Sequence, residues 1–215
     1  MKSTRVPRKK PSQSRSQATV DVILDAAARI FVETGFDAAT TNAIAERAGV
    51  SIGSLYQYFP NKLALLAALK ERHVIVLVAG MRAACAGARE RSLAEGVGVI
   101  IEACVGHFAV HAPLVRLFQE ELPLHALGER GEAAFDETLG LLREFFSRHR
   151  AAIRVENIED AVFFSRAIVG SVMKAAACER FEDLRNGVIA QELTSALLLY
   201  LTGQPPRLTV PATVS

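Results

Sequence analysis

The sequence predicts an all-α protein, and three observations carry that expectation. Apolar residues recur at spacings of three and four along most of the chain. Glycine, proline and asparagine stand between the periodic segments. No alternating apolar and polar run flanked by turn dipeptides appears, so no sheet is expected.

The elements follow in order. Residues 1–16 read as a disordered basic arm, with two prolines, four serines and no apolar period. From about Gln17, the positions Val20, Ile23, Leu24, Ala27, Ile30 and Phe31 mark a first helix that stops at Gly35. Two short helices follow, 41–48 and 52–58, with Gly49 breaking between them. Asn61 can cap a long helix reaching about Ala86. Further helices are expected at about 92–111, 113–122, 129–151, 157–179 and 185–203, nine in all. Pro113, Pro123, Gly128 and Asn157 punctuate them. Residues 17–60 form a first domain, 61–203 a second, and 204–215 a flexible tail.

Composition excludes several classes. Half of the residues are hydrophobic, which suits a packed core and not a disordered chain. The longest apolar runs, 75–80 and 196–201, are far too short to span a bilayer, so no membrane partner is expected. No apolar stretch follows the basic N-terminus, so a signal peptide is not expected and the cytoplasm is the expected compartment. Cys85, Cys104 and Cys178 are odd in number and widely spaced, which reads as free thiols. The formal net charge of +2 hides an asymmetry. Residues 1–19 carry six bases and no acid, whereas the rest holds 19 bases against 23 acids. A basic arm on a mildly acidic body points to a polyanion partner.

The chemistry lies in residues 40–62. Two short helices crossing steeply need a small residue at the crossing, which Ala45 supplies. They need a turn residue tolerant of positive φ, which is Gly49. Ile44, Ala48, Val50 and Leu55 stand where they can fix the angle, and Ser51 can cap the second helix. The arrangement is a helix-turn-helix. Its second helix offers Ile52, Gly53, Ser54, Tyr56, Gln57 and Tyr58, small or hydrogen-bonding and uncharged. Such side chains can read base edges and thymine methyls in a major groove.

The same residues resemble the DNA-binding signature of the TetR family of bacterial regulators. The shared features are a first helix ending in Glu-Thr-Gly-Phe, a Thr-Thr pair, Ile-Ala-x-x-Ala-Gly-Val-Ser, and Gly-Ser-Leu-Tyr-x-Tyr-Phe-x-Asn-Lys followed by Leu-Leu. The likeness covers about residues 20–67. It implies that Thr41, Tyr56 and Lys62 contact phosphates, and that Asn42, Ile52, Gly53, Ser54 and Tyr58 face or adjoin bases. Ser51 and Arg15 of the arm complete the expected DNA-binding set. Family members often have His where Tyr58 stands and a basic residue where Asn42 stands, which leaves more phosphate contact to the arm. The resemblance also implies a homodimer on double-stranded, palindromic operator DNA, a repressor released by a small hydrophobic effector.

For that effector, the large apolar residues Met81, Phe108, Phe118, Phe135, Leu139, Leu142, Phe146 and Phe164 are expected to line a cavity. His107, His111, Arg116 and Glu120 are placed to orient a polar end. The dimer is expected on the last two helices, through Ala161, Ser165, Ile168 and Val172 on one stripe and Leu193, Leu197 and Tyr200 on the other.

Two other readings fail on local grounds. Gly49-Val-Ser-Ile-Gly53 matches a hydrolase nucleophile elbow, but the residues before it have helical period where that chemistry needs a strand. Cys104, His107 and His111 share a helical face, yet zinc would need a fourth ligand from a neighbouring helix, and they read as polar residues on an apolar helix. No metal, cofactor or catalytic residue is expected. A helical interaction module without DNA binding would have no reason to place phosphate-contacting types at Thr41, Tyr56 and Lys62.

Overall fold

A computed structural model describes residues 11–122 and 128–204. Nine α-helices and one 3-10 turn make up the described residues, and no strand occurs among them. The helices are α1 (Pro11–Thr34), α2 (Thr41–Ala48), α3 (Ile52–Tyr58), α4 (Lys62–Gly87), α5 (Leu93–Glu121), α6 (Glu129–Arg148), α7 (Ile158–Glu179), α8 (Phe181–Arg185) and α9 (Val188–Thr202). Two compact units divide the chain at Leu69 and Lys70. The sequence reading places the junction before α4, whereas by packing the first turns of α4 belong to the first unit.

In the first unit, α2 packs on α1 and α3 on α2. Ile23, Ala27, Phe31, Ile44, Leu55, Leu65 and Leu66 are fully or almost fully buried there. In the second unit α5 is the central helix, packed against α7, α8 and α9, while α6 packs on α7. Its core takes Ile101, Cys104, Phe145, Met173, Leu184, Leu198 and Leu201. By length and apolar composition α5 and α7 are each long enough to cross a membrane. Both are core helices here, α5 burying Ile100, Ile101, Val105, Phe108 and Phe118 on its inward face. Gly96 lets α5 approach α6: a Cβ there would lie 2.6 Å from the Phe145 ring.

Four expectations about elements are corrected. The first helix begins at Pro11 and not near Gln17, so residues 11–16, Arg15 among them, are helical and not arm. Proline suits that opening place, because the first N–H of a helix has no partner to lose. Residues 1–10 of the expected arm lie outside the described residues, as does the expected tail from 205 on. Pro113 does not divide α5. It sits on an exposed face beside Val110, where the freed Ala109 carbonyl can turn to water, while Ala112, Val115 and Phe118 stay buried on the other face. The expected helix 185–203 begins only at Val188, after Gly187 takes φ 84° in the Asn186-Gly187 turn, and a short helix missed by the sequence reading, α8, precedes it. The expected helix 129–151 ends at Arg148 and passes into the 3-10 turn at Arg150–Ala152.

Candidate DNA-reading surface and effector cavity

In the first unit each short helix is fixed at its ends by side chains the local sequence provides. Thr40 caps α2, its Oγ1 accepting from the Ala43 N–H at 3.1 Å. Gly49 ends α2 in the left-handed region, and its turn returns N–H bonds from Gly49 to the Glu46 carbonyl and from Val50 to the Ala45 carbonyl. Ser51 then caps α3, accepting from the Ser54 N–H at 3.1 Å, with the two hydroxyls 2.8 Å apart. Asn61 accepts from the Ala64 N–H at 2.8 Å and caps α4. Arg47 clamps α2 to α1 through two 2.8 Å bonds to the Glu33 carboxylate.

This scaffold leaves one side of α3 open. Ile52, Gly53, Tyr56, Gln57 and Tyr58 are exposed, while Leu55 points inward at 0% exposure. Asn42 is exposed on α2, and Ser54 is half-buried against Ser51. A Cβ at Gly53 would meet nothing nearer than the Ser51 hydroxyl at 3.9 Å, so the fold itself does not require glycine there. Thr41, Tyr56 and Lys62 come together around one surface depression. The Thr41 and Tyr56 hydroxyls are 3.0 Å apart. Lys62 holds the α1–α2 loop, donating to the Phe36 carbonyl at 2.7 Å and the Asp37 carbonyl at 3.0 Å, with its ammonium over the Phe36 ring. That structural duty was not legible in the sequence, and it leaves one of three ammonium protons for an outside partner. Ser51 likewise acts first as a cap. The Arg15 side chain lies outside the described ones.

In the second unit α4, α5, α6 and α7 enclose a cavity of about 300 Å³, with Leu197 of α9 on its wall. Six of the eight expected lining residues meet there: Met81, Phe108, Phe118, Phe135, Leu142 and Phe146. Leu139 and Phe164 do not. Leu139 packs at the edge of the core, and Phe164 is 47% exposed on the outside of α7. The expected polar group is also corrected, since His107, His111, Arg116 and Glu120 do not line the cavity. Arg116 donates to the Cys178 carbonyl, and His107 pairs with His73 at 3.0 Å. The polar wall comes from residues the sequence reading missed: Lys70, His73, Gln119, Thr138, Arg166 and Lys174. Burial holds His73 down at about 3, with His107 and His111 adding to the effect, and His107 at about 4, with His111 adding to it and the bond from His73 opposing it. Cys104 is buried on the cavity wall, and burial pushes its thiol up to about 12. Among the described residues no group of three His, Cys, Asp or Glu is arranged to hold a metal ion.

The expected dimer stripes are corrected as well. Ala161, Ser165, Leu193 and Leu197 are 4% exposed or less and belong to the interior of the second unit. Ile168, Val172 and Tyr200 are half-buried against the same core. The outward apolar residues of these helices are Phe163 and Phe164 on α7 and Val188 and Leu199 on α9. The Phe164 and Tyr200 rings lie 5.8 Å apart, so the two outward faces adjoin.

A helix-turn-helix with an open reading face, followed by a helical unit with an apolar cavity, defines a DNA-binding regulator with a ligand-binding C-terminal domain. Residues 23–69 match the family described as bacterial regulatory proteins, tetR family, and residues 92–201 match the tetracyclin repressor-like C-terminal domain. The chain belongs to the TetR family of transcriptional regulators, whose members are DNA-binding proteins and not enzymes.

The chain is similar to the transcriptional activator FasR of Mycolicibacterium smegmatis, 50% identical over 62 residues, which cover 29% of this chain and 28% of that protein. It is similar also to the repressor KstR of the same organism, 50% identical over 44 residues, 20% of this chain and 22% of KstR. The alignments thus span less than a third of these curated relatives. Among solved structures, the fatty acid degradation regulator FadR from Bacillus halodurans shares the fold, with a TM-score of 0.62 at 21% identity over 83% of this chain and 97% of that one. A TetR-family regulatory protein from Rhodococcus RHA1 gives 0.63 at 21% identity over 85% and 96%.

Proposed function

We propose that the protein is a cytoplasmic repressor that binds a palindromic operator as a homodimer and is released by a small, largely apolar effector. One observation carries the reading: an uncharged, exposed α3 face stands beside the Thr41, Tyr56 and Lys62 depression. Thr41, Tyr56 and Lys62 position the phosphates, and Ile52, Gly53, Ser54, Tyr58 and Asn42 read or adjoin bases. Residues 16–69 hold only three bases against five acids, so the positive charge that attracts DNA comes from the basic residues before them.

Dimerisation uses the outward faces of α7 and α9, through Phe164, Leu199 and the adjoining Tyr200. The cavity of the second unit takes the effector. One helix, α4, carries both Lys62 and the wall residues Lys70 to Met81, and so couples the cavity to the reading surface. An effector that favours the DNA-free state weakens DNA binding by the factor by which DNA weakens its own binding.

Selection of DNA sequences from a random pool tests this. The full chain is expected to enrich a sequence with two-fold symmetry. Phe164→Glu is expected to give monomers by light scattering and to lose the palindromic preference. Enriched sites without two-fold symmetry, or a stable Phe164→Glu dimer, would overturn the homodimer on this surface.

A further inference from the structure

The charge on the cavity wall has one sign. The charged side chains among its described lining residues are Lys70, Arg166 and Lys174, with no Asp or Glu. Lys70 is half-buried on α4, and Lys174 stands exposed on α7. Burial, and then the nearby Lys174 charge, push the Lys70 ammonium below its ordinary range. Two ammonium groups facing one apolar space repel each other. An anion between them replaces that repulsion with two charge-assisted hydrogen bonds.

A second observation lies farther along α7. Ser165 lines the cavity at 3% exposure, and its Oγ is buried with no hydrogen-bond partner. Thr138, on the same wall, satisfies its hydroxyl by bonding the Ala134 carbonyl at 3.2 Å. A buried hydroxyl with no partner destabilises the fold unless something in the cavity bonds to it. Ser165 and Lys174 are nine residues apart on one helix, about 13 Å at 1.5 Å per residue. Between them α7 shows the cavity Arg166, whose guanidinium lies over the Phe135 and Phe163 rings, and then Val169, Gly170 and Met173, which offer no polar side-chain group except the Met thioether. At about 300 Å³ the space is at the low end for ligand pockets and suits one slender chain.

We propose that the effector is an elongated amphipathic carboxylate, its head held between Lys70 and Lys174 and its apolar body running along α7 to a hydroxyl or keto oxygen bonded by Ser165. The proposal rests on the reading of this cavity as the effector site.

Calorimetric titration of the full chain with decanoate, 10-hydroxydecanoate, 1-decanol and a decyl-chain quaternary ammonium separates the two. Decanoate is expected to bind more tightly than decanol by about tenfold, the effect of one charge-assisted hydrogen bond. The hydroxy acid is expected to bind more tightly again, and the cation most weakly. Lys174→Met, at an exposed position, and Lys70→Met should each reduce the preference for the acid while decanol binding persists, which also shows that the variants fold. Ser165→Ala should remove only the advantage of the hydroxy acid. Decanol binding as tightly as decanoate would overturn the anionic head, and an acid preference that survives both lysine substitutions together would overturn its placement at Lys70 and Lys174, each leaving the cavity a binding site. A hydroxy acid bound no better than decanoate would remove Ser165 from the proposal. Failure of all four probes to bind would overturn the effector site itself.

Discussion

The reading unit and the effector unit keep their polar chemistry in opposite places. In the first unit it is on the surface: Tyr56 is 50% exposed, Asn42 and Gln57 are exposed, and nearly every buried side chain is hydrocarbon. In the second unit polar groups line an apolar interior, with Ser165 orphaned, His73 and His107 held neutral by burial, and lysines at the cavity wall. A surface meant for a large polyanion can keep its donors hydrated until the partner arrives. A cavity meant for a small molecule must hold them desolvated in advance, at a cost to stability that the ligand offsets.

The strongest test of this contrast removes charge from the first region. Deleting residues 1–10 takes away five bases, each contributing about 0.9 to the dependence of log K on log salt. DNA binding is expected to fall for all sequences and its salt slope to flatten by up to about 4.5. Titration of the DNA probe at several salt concentrations reads both. Calorimetric binding of decanoate to the second unit is expected not to change, and a parallel loss there would break the comparison.

Acid should act on the second region. The free histidine pKa is about 6.5, while His73 and His107 are held at about 3 and about 4 in the fold. Between about pH 6.5 and 4 the unfolded chain therefore binds protons that the folded chain does not. Stability is greatest above pH 6.5 and declines as pH falls through that window. Burial explains the sign, because it penalises the charged imidazolium, and His111 adds a like charge beside both rings. Thermal unfolding followed by circular dichroism from pH 7.5 to 4.5 measures the slope. His73→Asn is expected to flatten it, and an unaltered slope would place the titrating groups elsewhere.

The smallest effect should come from Gly53→Ala. With open space around its Cβ, alanine is expected to stabilise α3 by about 0.5–1 kcal/mol through lower chain entropy. It should nonetheless weaken operator binding, because the added methyl faces outward. Denaturant midpoint and DNA affinity moving in opposite directions would sharpen the distinction between a fold residue and a reading residue. Affinity that rises with stability would mean that Gly53 lies away from the DNA.

Local sequence by itself determined the helix-turn-helix of the first unit almost to the residue, though not the start of α1 or the end of the unit. Thr40, Gly49, Ser51 and Asn61 are punctuation acting within three residues of their own positions, so the ends of α2 and α3 and the start of α4 were legible without any tertiary knowledge. Apolar periodicity likewise located α7 and most of α5. It did not say which apolar face turns inward. Ser165, Leu193 and Leu197 stand on stripes as apolar as any interface, and only packing against α5 assigned them to the interior and left Phe164 and Leu199 outside. Pro113 looked like a break because the helix rule is local, and burial of Ala112, Val115 and Phe118 overrode it. The cavity was legible only as a surplus of large apolar residues. Its polar wall joins Lys70 to Lys174 across more than a hundred residues of sequence, and no spacing along the chain encodes that meeting, which only the packing of four helices brings about.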